Sequence, residues 1–486
     1  MKNVHNIRYR CLLKIAGWLM LLECVMMAIP LSVGVITDGR DSLAFLISVL
    51  ATGIIGGCLV IFNRREQTKL FRREGYLLIS FIWILFSLFG MLPFMLCDHP
   101  LGFTDAFFET VSGFTTTGAT VIGDVESLGN GILLWRSMIQ WLGGLGIVLF
   151  LIAVLPALND SGGIALFNAE ITGITHDKLH PQIQKTAISL WGVYVILTVA
   201  MIPFLMVGGM DLFDSLCQAM TTMSTGGFST RNLSIGYWES PYIAVVVSVF
   251  MVLGGVNFIL LYNLLSSGRI NVLNNGIFKA FIAVVVVMTV VMSISLIFCS
   301  DMALGNVIIS AFFHVASAVT STGFTYSGFS SCGDFAVIMT VLLMICGACA
   351  GSTSGGVKID RVYVIVRNIK GEIIHTLFPK RIKSITICGK SVDEAVLSRI
   401  FAFLSLYISL ILAGTLLMAA YGYSFIDSLF ASASCIGNNG LGFGATGSGF
   451  GLLPDTVKWL LTFLMLVGRL EIFTVLVLLY PAFWKR

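Results

Sequence analysis

The sequence predicts an all-α membrane protein with about ten transmembrane helices and four re-entrant loops. Three observations predict it. Charges are too few to cover a water-soluble surface, apolar runs recur from end to end, and one short motif occurs four times at constant spacing.

Of the 486 residues, 57% are hydrophobic and 11% charged. A soluble domain carries about 25% charged residues, so this chain needs a solvent that accepts an apolar face, and the lipid bilayer is that solvent. Runs long enough to span, such as residues 281–299 and 402–421, recur through the chain. The first follows a basic start and begins near Cys11, like a signal peptide. Glu23 and Pro30 interrupt it and no small-residue cleavage site follows, so it reads as a span.

Charge distribution orients the spans. With a cytoplasmic amino terminus and alternating sides, all but five of the 29 Lys and Arg residues fall inside. Arg40, Arg136, Arg231 and Lys458 fall outside, and Arg469 lies within a span. The positive-inside rule selects this orientation, with both termini cytoplasmic. The 11 cysteines include a C-x-x-C at Cys346 and Cys349, but it lies in an apolar, Gly-rich stretch without a second pair. It reads as small-residue packing rather than a metal site. Cys299 and Cys332 face the outer side in this topology, and nothing in the sequence pairs them.

The repeated motif reads DAFFETVSGFTTTGA from Asp105, DSLCQAMTTMSTGGF from Asp214, SAFFHVASAVTSTGF from Ser310 and DSLFASASCIGNNGL from Asp427. Gly118, Gly227, Gly323 and Gly440 each follow their starting residue by thirteen positions. The starting residues are expected N-caps. The intervening segment of about ten residues is too short to span, and it is flanked by full spans. Read as exposed loops, these segments would strand Phe107, Phe108, Phe312, Phe313 and Phe430 in water. A short re-entrant helix followed by extended backbone avoids that.

Irregular backbone at membrane depth survives only where it lines a cavity or is buried in protein. Four such loops can ring one axis, giving a pseudo-fourfold pore. Their carbonyl oxygens would replace the hydration shell of an ion, and inward-pointing helix C-termini favour a cation. Glycine keeps side chains out of the path and permits unusual backbone angles. The candidate ion-binding residues are Thr116, Thr117 and Gly118; Thr225, Gly226 and Gly227; Ser321, Thr322 and Gly323; and Asn438, Asn439 and Gly440. No ring of acids lies at the constriction, which argues against divalent selectivity.

Together, TTTGAT from Thr115, STGGFST from Ser224, TSTGF from Thr320 and NNGLG from Asn438 resemble the filter loops of the Trk/Ktr/HKT superfamily of cation transporters, and in particular its TrkH/TrkG type. RSMIQWLGGLGI from Arg136, LGGVNF from Leu253, GSTSGGVKIDR from Gly351 and GRLEIFT from Gly468 resemble segments of the second helix in each repeat. The resemblance covers nearly the whole chain. It implies potassium uptake across a bacterial inner membrane, a homodimer, and gating by a cytosolic nucleotide-binding subunit of the TrkA type. It also implies that no cofactor is bound by this chain and that potassium is the substrate; no nucleic-acid partner is expected. Glycine at all four aligned positions leans toward potassium over sodium. The fourth loop departs from the pattern, with Asn438 and Asn439 where the others carry Thr, Ser or Gly, so its oxygen geometry stays open.

The expected organisation is an N-terminal helix pair (1–75) and four repeats. These are 76–175 with loop 115–119, 176–270 with loop 224–228, 271–395 with loop 320–324, and 396–486 with loop 437–441. A second loop at 347–356 interrupts a span of repeat 3. Gly347, Gly351, Ser352, Thr353, Ser354, Gly355 and Gly356 cannot sustain a stable helix there. Small-residue helix packing is the plain alternative. The resemblance makes this loop a flexible intramembrane gate beneath the filter, with Arg469 facing the pathway. Arg469 would act there through its charge, and Glu471, two residues on, points to another helical face. His314, at the position of Glu109 in repeat 1, reads as packed or water-contacting rather than a proton relay. The basic segment 367–390 fits anionic lipid or a soluble partner. The six His assemble no catalytic constellation, so an intramembrane enzyme is not expected.

Overall fold

The computed structural model describes residues 7–37, 39–66, 72–146, 183–267, 274–299, 302–326, 333–379, 386–387 and 390–484. The chain opens with two antiparallel helices, α1 (Tyr9–Thr37) and α2 (Ser42–Phe62), joined by a tight turn in which Gly39 has φ of 69°. They pack backbone to backbone. A Cβ on Gly17 would lie 2.9 Å from the Gly56 carbonyl oxygen, so the small residues set the helix spacing. The pair is tied to the next helix by a bidentate bridge from Arg8 to Glu74.

Each repeat then has a long apolar helix, a short helix and a returning helix. The long helices are α3 (Arg72–Gly90, followed by the single turn α4, Leu92–Leu96), α7 (Ile183–Val207), α11 (Gly276–Cys299) and α15 (Glu394–Ala420). The short ones are α5 (Phe103–Phe114), α8 (Leu212–Met223), α12 (Leu304–Val319) and α16 (Phe425–Ile436). The returning helices are α6 (Asn130–Gly144), α9 (Pro241–Gly254) with α10 (Phe258–Ser267), α13 (Gly333–Cys346) with α14 (Ile359–Leu377), and α17 (Asp455–Arg469) with α18 (Ile472–Leu479), before the final turn α19 (Pro481–Trp484). A two-stranded pairing of Thr386–Ile387 with Lys390–Ser391 lies between repeats 3 and 4.

Among the described residues, six helices are long and apolar enough to cross a membrane, and two bent pairs bring the total to eight. With α6 and α13, ten elements stand where the sequence places spans. The bends are sharp, 100° between α9 and α10 and 110° between α17 and α18. Arg469 thus sits at the break in the middle of this bent span. It is the last residue of α17, at the end of a broken helix.

The short helices are re-entrant in length and buried in protein: Phe107, Phe108, Phe313 and Phe430 are all inside the core, and Phe312 packs against it. Their starts differ from the sequence expectation. The N-caps are Gly102, Asp211, Ala303 and Ser424. Asp105, Asp214 and Asp427 stand in the first turn instead, where a carboxylate complements the helix dipole. Asp211 and Ser424 accept the backbone N–H of Asp214 and Asp427, both at 3.1 Å. Ser310 lies well inside α12, whose start is extended by Leu304–Ile309, apolar enough to continue the helix outward.

Candidate functional site

The four short helices end alike. Thr116, Thr225, Ser321 and Asn438 take left-handed φ values between 50° and 56°. The N–H groups of Thr117, Gly226, Thr322 and Asn439 turn back to the carbonyls of Ser112, Thr221, Ser317 and Ser434, at 2.8 to 2.9 Å. This is a left-handed C-cap, yet no loop uses glycine at the left-handed residue. Two of the four are β-branched Thr, for which that conformation is a costly outlier. Strain of this kind persists where the surrounding structure over-determines it. Two residues on, Gly118, Gly227, Gly323 and Gly440 also have positive φ, between 74° and 83°.

These glycines close a ring. A Cβ on Gly118 would collide with the carbonyl oxygen of Gly226. The same holds for Gly227 and the oxygen of Thr322, Gly323 and that of Asn439, and Gly440 and that of Thr117. Each loop thus meets the next in order 1-2-3-4-1, through the equivalent carbonyl in each case. All twelve sequence-selected residues belong to this ring. Thr116, Thr117, Thr225, Ser321, Thr322, Asn438 and Asn439 are at most 1% exposed.

The fourth loop keeps the backbone of the others despite its sequence. Both Asn side chains donate to neighbouring elements. Asn438 Nδ2 donates to the Met465 carbonyl at 2.9 Å and to Thr117 Oγ1 at 3.1 Å, and Asn439 Nδ2 donates to the Ala318 carbonyl at 3.0 Å. Ser317 and Ser434 hydroxyls donate to the carbonyls of Phe324 and Leu441, fixing the outgoing strands of loops 3 and 4.

Ion pairs anchor the scaffold. Three of the four basic residues placed outside by topology are neutralised by acids of α5 and α8: Arg136 by Glu109 at 2.9 Å, Arg231 by Asp214 at 2.8 Å, and Lys458 by Asp105 at 2.5 Å. Burial works against the Arg231 charge, but the hydrogen bond and charge of Asp214 outweigh it and its pKa is raised. Glu109 and Arg136 are fully enclosed, at 0% and 2% side-chain exposure. Glu109 also accepts from Thr120 Oγ1 and Val121 N, while Arg136 donates to the Ser229 carbonyl and lies 4.2 Å over the Phe228 ring. This pair locks loop 1 to loop 2. Glu109→Ala strands a buried guanidinium, so a loss of about 3–5 kcal/mol is expected. Chemical unfolding in detergent measures it, and an unchanged midpoint would show that the pair is dispensable.

Residues 347–356 form a folded segment pressed against the ends of the short helices where the ring begins. Thr353 Oγ1 donates to the carbonyls of Met223 and Gly254 at 3.1 and 3.2 Å, and Thr225 Oγ1 donates to Thr353 Oγ1 at 3.2 Å. The Gly355 N–H donates to Ser321 Oγ at 2.6 Å, and a Cβ on Gly355 would lie 3.0 Å from the Asn438 Cβ. Loops 2, 3 and 4 are therefore all touched. The segment is held rather than loose. Gly347, Gly351 and Gly356 have positive φ, Ser352 and Ser354 hydroxyls lie 3.1 Å apart, and the Ala350 N–H donates to Asp360 Oδ2 at 2.6 Å. Its glycines serve close backbone approach: a Cβ on Gly347 would lie 2.5 Å from the Gly355 oxygen.

Arg469 joins this segment to repeat 1. It donates from Nη1 to the Thr353 carbonyl at 3.1 Å, and from Nη2 to the carbonyls of Gly143 and, at 2.7 Å, Gly144. Glu471 is turned away by its own positive φ and pairs with Arg361 at 2.7 Å.

Asn257 is a residue to which the sequence reading gave no individual role. It caps α10 through its Oδ1, 2.8 Å from the Ile259 N–H, and donates to the Ala350 carbonyl at 2.7 Å. The signal for it was its place in LGGVNF, two residues after the Gly pair in an apolar run. His314 is buried in α12 with its ring edge-on to Phe313. Cys299 is an exposed free thiol, and Cys332 lies outside the described residues, as does most of the basic segment beyond Pro379. Among the described residues no three His, Cys, Asp or Glu side chains converge to hold a metal ion, at Cys346 and Cys349 included.

A family model for TrkH, described as a cation transport protein, matches residues 42–486. The Trk system potassium uptake protein TrkH of Escherichia coli K12 is 35% identical over 485 residues, covering 98% of this chain and 100% of that protein. The Trk system potassium uptake protein TrkG of the same organism is 34% identical, covering 98% of this chain and 99% of that protein. Among solved structures, the crystal structure of the potassium transporter TrkH from Vibrio parahaemolyticus superposes with a TM-score of 0.88 at 31% identity. That alignment covers 98% of this chain and 100% of the other.

Proposed function

As the chain belongs to the TrkH family of cation transport proteins, a family of transporters rather than enzymes, we propose that it takes up potassium across a bacterial cytoplasmic membrane. The observation that carries this reading is the closed ring in which each loop's glycine faces the next loop's carbonyl. Four equivalent carbonyls offer a dehydrated monovalent cation an oxygen cage, and four helix C-termini directed at it add partial negative charge. The potassium-coordinating atoms are the backbone oxygens of the twelve ring residues; the Asn438 and Asn439 side chains brace the cage from behind.

The segment 347–356 is the gate, held shut against loops 2, 3 and 4 and pinned by Arg469. A cytosolic nucleotide-binding subunit of the TrkA type releases it, acting through α14, which leads directly from the gate and carries Arg367 and Lys370. Both termini are cytoplasmic, each of two subunits in a homodimer carries its own pore, and repeats 1 and 4 open with α3 at Arg72 and α15 at Glu394, a few residues before the boundaries read from the sequence.

The test is uptake into proteoliposomes holding the purified chain, with potassium or sodium outside and an imposed inside-negative potential. Potassium is expected to enter faster than sodium. Equal rates, or no flux above empty vesicles, would sink the reading.

A further inference from the structure

Loop 2 differs from the others at its middle position. Loops 1, 3 and 4 carry Thr117, Thr322 and Asn439 there, and each of these side chains makes a hydrogen bond behind the ring. Thr117 Oγ1 lies 2.7 Å from Thr115 Oγ1, Thr322 Oγ1 lies 2.7 Å from Thr320 Oγ1, and Asn439 reaches Ala318. Loop 2 carries Gly226, which has no side chain to brace it. Its φ is outside the left-handed region, so the backbone does not require glycine.

The space is already taken. Gln140, on α6 of repeat 1, is fully buried, and a Cβ on Gly226 would lie 2.5 Å from its Oε1 and 2.9 Å from its Nε2. Its carboxamide uses both ends on loop 2. Nε2 donates to the Gly226 carbonyl at 2.7 Å, and Oε1 accepts the Phe228 N–H at 3.0 Å. The Gly226 oxygen is one of the four ring carbonyls, and among the described residues it is the one of the four that receives a side-chain donor. A hydrogen bond on this oxygen fixes its direction and draws electron density from it.

We infer that Gln140 is a selectivity-determining positioning residue, supplying to loop 2 from the neighbouring repeat the brace that the other loops supply from their own sequence. This rests on the ring being the ion filter. The two residues form a complementary pair, one glycine and one long amide, so each explains the other. A side chain at position 226 should be tolerated when position 140 is small.

The experiment compares potassium and sodium uptake in proteoliposomes for Gln140→Leu, Gly226→Thr, the double variant Gln140→Ala/Gly226→Thr, and Gly118→Ser. Gln140→Leu keeps approximate volume and removes both hydrogen bonds. Its potassium-to-sodium ratio is expected to fall by about twofold to tenfold, the range of one hydrogen bond. Gly226→Thr alone is expected to fail, in assembly or in flux, and the double variant is expected to recover most of the ratio. If Gln140→Leu keeps the wild-type ratio while Gly118→Ser loses it, Gln140 is packing only and the inference is overturned. If Gly118→Ser also keeps the ratio, the filter reading itself fails. Should Gln140→Leu not assemble, the double variant decides: no better flux or ratio than Gly226→Thr alone overturns the pairing.

Discussion

Gly118→Ser and Gly227→Ser are each expected to lower the potassium-to-sodium uptake ratio about tenfold or more, equivalent to about 1.4 kcal/mol or more of lost discrimination. Two independent costs act at each position. The backbone is left-handed, with φ of 81° and 80°, which disfavours any side chain. The new Cβ would also land on a ring carbonyl of the neighbouring loop, Gly226 for one and Thr322 for the other. That oxygen cannot stay in place, and neither can the cage of which it is a quarter. Because the collisions run around the ring, a substitution in one loop should disturb the next, and the two variants should resemble each other. Initial uptake rates in proteoliposomes, normalised to reconstituted protein, measure the ratio. Wild-type selectivity in both variants would remove these loops from the ion path.

Release of the gate is the second large effect. Arg469→Ala removes three carbonyl partners at once, on two segments that this side chain's fork joins. Hydrogen bonds to a charged donor contribute about 1.5–3 kcal/mol each, so a closed state that depends on them should lose about tenfold or more of its population advantage. Potassium flux without the cytosolic partner is expected to rise accordingly. Deleting residues 351–354 should act in the same direction, since it removes Thr353 and its contacts with Met223, Gly254 and Thr225. If charge alone at 469 mattered, as the sequence reading has it, Arg469→Lys would preserve restraint. The geometry modifies that: a lysine cannot span carbonyls on both segments as a planar fork does, so Arg469→Lys is expected to fall between wild type and Arg469→Ala. Variants that assemble normally and conduct no faster than wild type would make the segment mere packing.

The ring was legible because its determinants are local. A left-handed residue, a middle residue and a glycine follow one another in each loop, and the spacing from Asp105, Asp214, Ser310 and Asp427 exposes the repeat. The exact helix starts were less legible, since Gly102, Asp211, Ala303 and Ser424 cap helices that the acids merely follow. The break at Leu470 was hidden because Arg469 and Glu471 read as two charges on one helix, and only the positive φ of Glu471 separates them.

By itself, then, the sequence determined the membrane class, the fourfold repeat, the twelve ring residues and the interrupted span at 347–356. These follow from composition, period and spacing, which a chain carries along its own length. Only the tertiary structure decided which loop touches which, that the Asn438 and Asn439 amides bond to neighbouring elements, that Glu109 neutralises Arg136, and that Gln140 fills the place of a side chain missing from Gly226. The Arg469 bonds to Gly143 and Gly144 join residues more than 320 positions apart. Such contacts depend on how four repeats close on one another, and closure is a property of packed backbones that no local pattern encodes.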